Sequence, residues 1–232
     1  DNDKRDEYIY KACRANPSEE GAVKLIQARM QLEYDQLEQA LATVLHLQEL
    51  QPKNHQVLFL LQAIYLKLDD WESLTGLLPL LKKQEVLKGQ KFIDFSIKVY
   101  EHVLKQNSNN HEELQEIWHK IPRDLRKTSP MLSIYAKELL SCEKDGEVAT
   151  LIEKFLKREW SKELVKLYGF VRTEHPEKQL ATAESWTKEH KQEAVLLLTL
   201  GRLAATFKHW GKAKDYLLES AQIEKSAEAY AV

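Results

Sequence analysis

Glycine and proline are scarce here, with seven and six in 232 residues, well below their usual joint share of about 12%. Isolated glycines cannot cradle a phosphate, and neither GxGxxG nor GxxxxGK[ST] occurs. The same scarcity favours long helices joined by short turns. Cysteine is almost missing: Cys13 and Cys142 stand far apart with no CxxC context, so two reduced thiols are expected rather than a disulfide. No apolar run approaches the ~18 residues that a membrane span needs. Excess charge is also lacking, since 34 basic and 36 acidic residues leave −2, and nothing in that balance points to nucleic acid. His111-Glu112-Glu113-Leu114-Gln115 lacks the second histidine of HExxH, so a zinc-protease site fails on its ligands. The eight histidines are scattered, and solvated or capping roles are expected for them. No metal ligand set, cofactor motif or catalytic constellation is found, and an enzyme is not expected. The chain opens on Asp1 rather than methionine, so a fragment of a longer protein is expected, with any anchor upstream.

Helical periodicity is what the chain does have. In the stretch from Ala194 to Tyr230, Leu197, Leu200, Gly201 and Ala204 fall at i, i+3, i+4 and i+7, one face of a helix. His209-Trp210-Gly211 interrupts the pattern, and Ala213, Tyr216, Leu217 and Ala221 mark a second helix. Gly201 and Ala213 are small where two antiparallel helices would cross. They are expected to face each other, with Gly201 tolerating alanine.

This layout resembles a tetratricopeptide repeat (TPR), a helix-turn-helix of about 34 residues, and the rest of the chain reads as further copies. Gly21 opens a repeat with Ala28 and Ala40 at its small positions and Pro52 at its end. Thirty-four residues on, His55 opens the next, with Tyr65 on its first helix and Asp69-Asp70-Trp71 as its turn. Recognisable repeats cover 21–52, 55–85, 129–158, 160–192 and 194–225, and Ala136 takes the small site of the third. The phase of 160–192 is open: Gly169 and Ala181 suit a later start, Ala183 an earlier one. Between them, 86–127 is an irregular helical pair, either an interruption within one solenoid or a hinge between two lobes. The expected fold is all-α: residues 1–232 as a single TPR-like α-solenoid, a right-handed superhelix of about fourteen helices without a sheet. Residues 1–13 read as a helix remnant, and Glu228 would open another copy. Trp71 and Trp210, in the intra-repeat turns, are expected to pack over the small residues. Trp118, Trp160 and Trp186 have no clear position in the repeat.

In TPR proteins the concave face is lined by first-helix positions two, five, nine, twelve and thirteen. The resemblance therefore places Leu25, Arg29 and Leu32, then Phe59, Ala63 and Lys67, on that face. Later copies add Ser133, Lys137 and Leu140, then Leu198, Arg202 and Ala205, with Arg172 or Lys166 from the ambiguous unit. Arg29, Lys67, Lys137 and Arg202 among the apolar Leu25, Phe59 and Leu198 would suit carboxylates of a partner, against the alternative of ordinary solvated helix faces.

The segments IQARMQLEYDQLEQAL, PKNHQVLFLLQAIYLKLDDWESLTGLLPLLKK, PMLSIYAKELLSCEKDGEVATLIEKFLKREW and LLLTLGRLAATFKHWGKAKDYLLESA occur in this order. Together with the irregular insert, they resemble the C-terminal TPR region of the HemY proteins of proteobacteria, over nearly the whole chain. The resemblance implies a bacterial inner-membrane protein, anchored by helices ahead of Asp1, with this domain facing the cytoplasm. It implies a link to haem and porphyrin biosynthesis without an established catalytic role, and protein partners among tetrapyrrole-pathway enzymes. A scaffold is the leading expectation. Direct porphyrin or haem carriage is the alternative, although neither cysteine precedes a proline as in the short signal of regulatory haem binding, and a generic peptide clamp is a third reading.

Overall fold

The computed structural model describes residues 20–224. The remnant helix with Cys13, and Glu228, lie outside the described residues. Fourteen helical segments are present among the described residues, and no strand. They are α1 (Glu20–Glu33), α2 (Leu37–Leu50), α3 (His55–Lys67), α4 (Trp71–Lys83), α5 (Gly89–Gln106), α6 (His111–Lys120) and α7 (Arg123–Arg126). After these come α8 (Ser129–Ser141), α9 (Asp145–Leu156), α10 (Lys162–Tyr168), α11 (Pro176–Ser185), α12 (Thr187–His190), α13 (Ala194–Thr206) and α14 (Trp210–Ile223). The chain divides into two compact units, one up to Val103 and one from Leu104, so the division falls within α5.

Local chemistry sets the helix starts. Asn54, Asp70 and Asn110 cap α3, α4 and α6 by accepting backbone N–H bonds with their side chains, and Ser161 does so for α10. Pro130 and Pro176 sit in the first turn of α8 and α11, where a missing N–H costs nothing.

The turns explain how the chain manages with so little glycine. Asp35, Asp69, Glu143 and Lys208 each take the left-handed conformation, with φ of 59°, 52°, 57° and 59°. Each lies between the two helices of a hairpin. The following residue donates its N–H five residues back: Gln36 to Gln31, Asp70 to Tyr65, Lys144 to Leu139, His209 to Ala204. This is a Schellman closure, normally completed by glycine. Left-handed backbone strains a residue with a Cβ by about 1–2 kcal/mol, partly offset by the unfolded-state entropy of glycine. Glu143→Gly and Lys208→Gly are therefore each expected to raise stability by about 0.5–1 kcal/mol, readable as a higher melting temperature in each variant.

In the N-terminal unit, α1 to α4 enclose a core of Ala28, Ala40, Val44, Leu47, Val57, Leu58, Leu60, Leu61, Ile64, Leu77 and Leu81. Leu25, Leu32, Tyr65, Phe92 and Phe95 pack on it, half-buried. Trp71 is 6% exposed, its ring stacked 3.8 Å from that of His102 on α5.

In the C-terminal unit, Ala136 is fully buried and Trp118 stacks on Tyr135 at 4.1 Å. The ambiguous repeat has a physical cause for its two phases. Its first helix, α10, stops after seven residues, and a loop runs from Gly169 to His175. Buried Gln179 holds that loop by donating to the carbonyls of Tyr168 and Val171 and accepting from Thr173 Oγ1. A Cβ on Gly169 would lie 3.3 Å from Thr199 Cγ2 on α13, so a small residue is needed there. Ala183 is fully buried and Ala181 exposed, so the second helix follows the earlier phase.

Two packing expectations are corrected. Trp210 does not pack over its hairpin: it is 65% exposed at the start of α14. Trp71 has the ring of His102 as its cover, whereas no ring contact is formed by Trp210 among the described residues. Gly201 does not have the room for alanine that the periodicity implied. A Cβ there would come within 2.6 Å of Leu217 Cγ and Cδ2, and 3.5 Å from the Ala213 carbonyl. Ala213 itself is buried.

Candidate interaction surface

In the N-terminal unit the first-helix residues of α1 and α3 form the surface. Val57, Leu58, Leu60, Leu61 and Ile64 turn into the core, and Phe59 is left 58% exposed among them. A 3.6-residue period allows only part of an apolar helix to face inward, and Phe59 falls outside that arc. Leu25, Leu32 and Ala63 are half-buried and Arg29 is exposed. Lys67 is exposed but already paired: its Nζ lies 2.9 Å from Asp35 Oδ1 and donates to the Leu32 carbonyl at 3.4 Å. The end of α3 is thereby fastened to the end of α1.

The C-terminal unit repeats that device in another form. Lys137 on α8 pairs with Glu163 on α10 at 3.3 Å, and buried Ser133 donates to the same carboxylate at 2.7 Å. Both lysines thus carry a neighbouring repeat's carboxylate, at about 0–1 kcal/mol for exposed pairs of this kind. Leu198 lies off the surface, 6% exposed and packed against Ala221 and Leu217 of α14. The reason is that α13 is apolar on nearly all sides, with eight of its thirteen residues buried. The Arg202 guanidinium stands 4.4 Å from the centre of the Phe170 ring, and Phe170 is 49% exposed. Arg172 serves its own loop: its backbone N–H donates to Asp145 Oδ1 and its guanidinium to the carbonyls of Gly169 and Val171. Lys166 is exposed; Leu140 and Ala205 are half-buried.

Sequence reasoning missed Phe170 because the truncation of α10 that exposes it leaves no trace in a repeat template. It also missed the paired acids Asp35 and Glu163, which lie outside the positions a TPR template inspects.

Among the described residues the largest pKa shifts fall on tyrosines. Burial, the Glu153 carboxylate and a hydrogen bond to it at 2.6 Å hold the Tyr168 hydroxyl far above its ordinary pKa. Burial raises Tyr135 likewise, with Glu147 nearby, and burial with Glu184 pushes Tyr216 up to about 12. All three are neutral phenols at neutral pH. Four histidines are engaged by their neighbours. His102 and His119 point Nδ1 at the carbonyls of Lys98 and Gln115, so each carries its proton there. His111 lies 3.0 Å from Glu147. His190 lies 3.1 Å from Glu193 and stacks on Trp160 at 3.6 Å, while Trp160 Nε1 donates to the other Glu193 oxygen. No group of three or more His, Cys, Asp or Glu able to hold a metal occurs among the described residues. No described helix is long and apolar enough to cross a membrane.

The chain is similar along nearly its whole length to curated HemY proteins. It is 22% identical over 232 residues to Protein HemY of Escherichia coli K12, covering 99% of this chain and 58% of that one. The Shigella flexneri protein gives the same figures. The chain thus spans little more than half the length of these relatives. No family model matches. Among solved structures, a TPR protein described as having an unusual peptide-binding site, YrrB, aligns over 96% of each chain with 13% identity and a TM-score of 0.39.

Proposed function

We propose that this chain is a non-catalytic protein-interaction scaffold in a HemY-like protein of the bacterial inner membrane, placed on the cytoplasmic side. Its partners are enzymes of tetrapyrrole metabolism. The observation that carries the scaffold reading is Phe59: a large aromatic left open on α3, with Arg29 also exposed on the neighbouring α1, in a unit where Val57, Leu58, Leu60, Leu61 and Ile64 of α3 close a core. An exposed aromatic and an exposed arginine are residue types that dominate protein interfaces. The haem and membrane links rest on the resemblance to HemY alone. Affinity capture with the wild-type chain and with Phe59→Ala/Arg29→Gln, matched for melting temperature, tests it. Tetrapyrrole-pathway enzymes should be retained by the first and lost, by roughly tenfold or more, from the second. Equal recovery from both would refute the surface assignment.

Haem carriage is the weaker reading, since four of the eight histidines are held by their own neighbours. Titrated haemin is expected to keep the absorption of free haemin, and a sharpened, shifted Soret band would reverse that order.

A further inference from the structure

We propose that the basic turn at residues 120–127 is a docking surface for an anionic membrane leaflet, separate from the first-helix surfaces. Lys120 ends α6, Arg123 and Arg126 lie on the one-turn α7, and Lys127 follows. Four bases in eight residues stand against one acid, Asp124. Among the described residues none of the four is in an ion pair, whereas Lys24, Lys67, Lys88, Lys137 and Lys212 all are. Arg126 adds a second observation: its Nε is buried and has no hydrogen-bond partner. A buried donor left unmade is destabilising, so an internal contact of that nitrogen does not explain the arginine. The dipole of α6 accounts for Lys120 at its C-terminus, opposite Glu112 and Glu113 in its first turn. It does not account for Arg123, which opens α7, the end of a helix that disfavours a cation.

The form of the turn selects the partner. Its apolar residues, Ile121 and Leu125, are buried, and Pro122, Arg123, Asp124 and Lys127 are exposed. The turn offers charge without an exposed apolar anchor of the kind that centres a protein interface. The nearby ring of Trp118 has one face covered by Tyr135, and residues 120–127 hold no aromatic on which a nucleic-acid base could stack. An anionic leaflet needs neither feature. It attracts juxtaposed lysines and arginines through its surface potential, each base strengthening binding by about fivefold.

The test is co-sedimentation of the 232-residue chain with phosphatidylcholine vesicles, with and without phosphatidylglycerol. Binding is expected only with phosphatidylglycerol and should fall as salt rises. Arg123→Gln/Arg126→Gln/Lys127→Gln should lower the partition coefficient by on the order of a hundredfold. Lys53→Gln/Lys83→Gln/Lys91→Gln removes the same charge from the N-terminal unit and should bind as the wild type does. If the first triple variant melts early, Arg123→Gln/Lys127→Gln, at two exposed positions, is measured instead, with about a thirtyfold loss expected. Absence of wild-type binding, or equal losses in both triple variants, would overturn the proposal. Retention on immobilised polyglutamate without vesicle binding would assign the turn to an acidic protein segment and overturn it too.

Discussion

Gly201→Leu is expected to destabilise the C-terminal unit by about 3 kcal/mol, the upper part of the range for overpacking. A melting temperature lower by roughly 6–12 °C should result. The absent Cβ of Gly201 faces Leu217, with Cγ and Cδ2 both 2.6 Å from where it would stand. Cγ moves only with χ1, for which a helix allows few rotamers, so relief needs a large swing of the Leu217 side chain or a shift of α14 away from α13. Even Gly201→Ala should be unfavourable, by about 1 kcal/mol, because overpacking outweighs the gain in helix propensity of up to ~1 kcal/mol. The periodicity alone gave the opposite expectation, since it paired Gly201 with Ala213 and left room for a methyl group. The contact is separable by a double-mutant cycle. Leu217→Ala removes the obstacle, so Gly201→Ala on that background should cost nothing or stabilise. A melt of Gly201→Leu matching the wild type would mean that the two helices do not approach as closely as the structure has them.

Residues with a periodic role were legible, and those whose role depends on a neighbouring repeat were not. Ala28, Ala40 and Ala136 recur at the small positions of a 34-residue repeat and are fully buried. Helix starts at Asn54, Asp70 and Asn110 could be read from capping chemistry confined to a few residues. Trp71 and Trp210 hold the same position in their hairpins, yet one is buried and the other open. What separates them is His102 on the following helix, which a template for one repeat does not contain. Lys67 and Lys137 likewise looked like bases of a groove. Their charge is met by Asp35 and Glu163, 32 and 26 residues away, at distances in sequence where spacing says nothing about pairing. The 160–192 repeat was ambiguous because α10 ends early and Gln179, rather than further helix, satisfies the freed carbonyls.

Raising the pH to about 11 is expected to remove on the order of 3 kcal/mol of stability through Tyr135 and Tyr168 alone. Both rings are buried, 1% and 0% exposed. Burial is the leading cause that raises their hydroxyls above the ordinary value of 10.0, with the negative charge of Glu147 acting on Tyr135 and that of Glu153 on Tyr168. In the unfolded chain both phenols ionise near pH 10, whereas in the folded chain they stay neutral well beyond it. The folded state therefore binds more protons above pH 10, and stability falls as pH rises. Their stabilising contribution is complete below pH 10. One unit above, each tyrosine costs about 1.4 kcal/mol, which gives the figure for two. Urea melts at about pH 8, 10 and 11 would measure it. Tyr168→Phe makes the assignment specific. It removes one ionising group and the bond to Glu153, so it should lower stability near pH 8 by about 1 kcal/mol, yet lose less between pH 10 and 11 than the wild type. An equal loss in the wild type and in Tyr168→Phe over that interval would place the alkaline sensitivity in other groups.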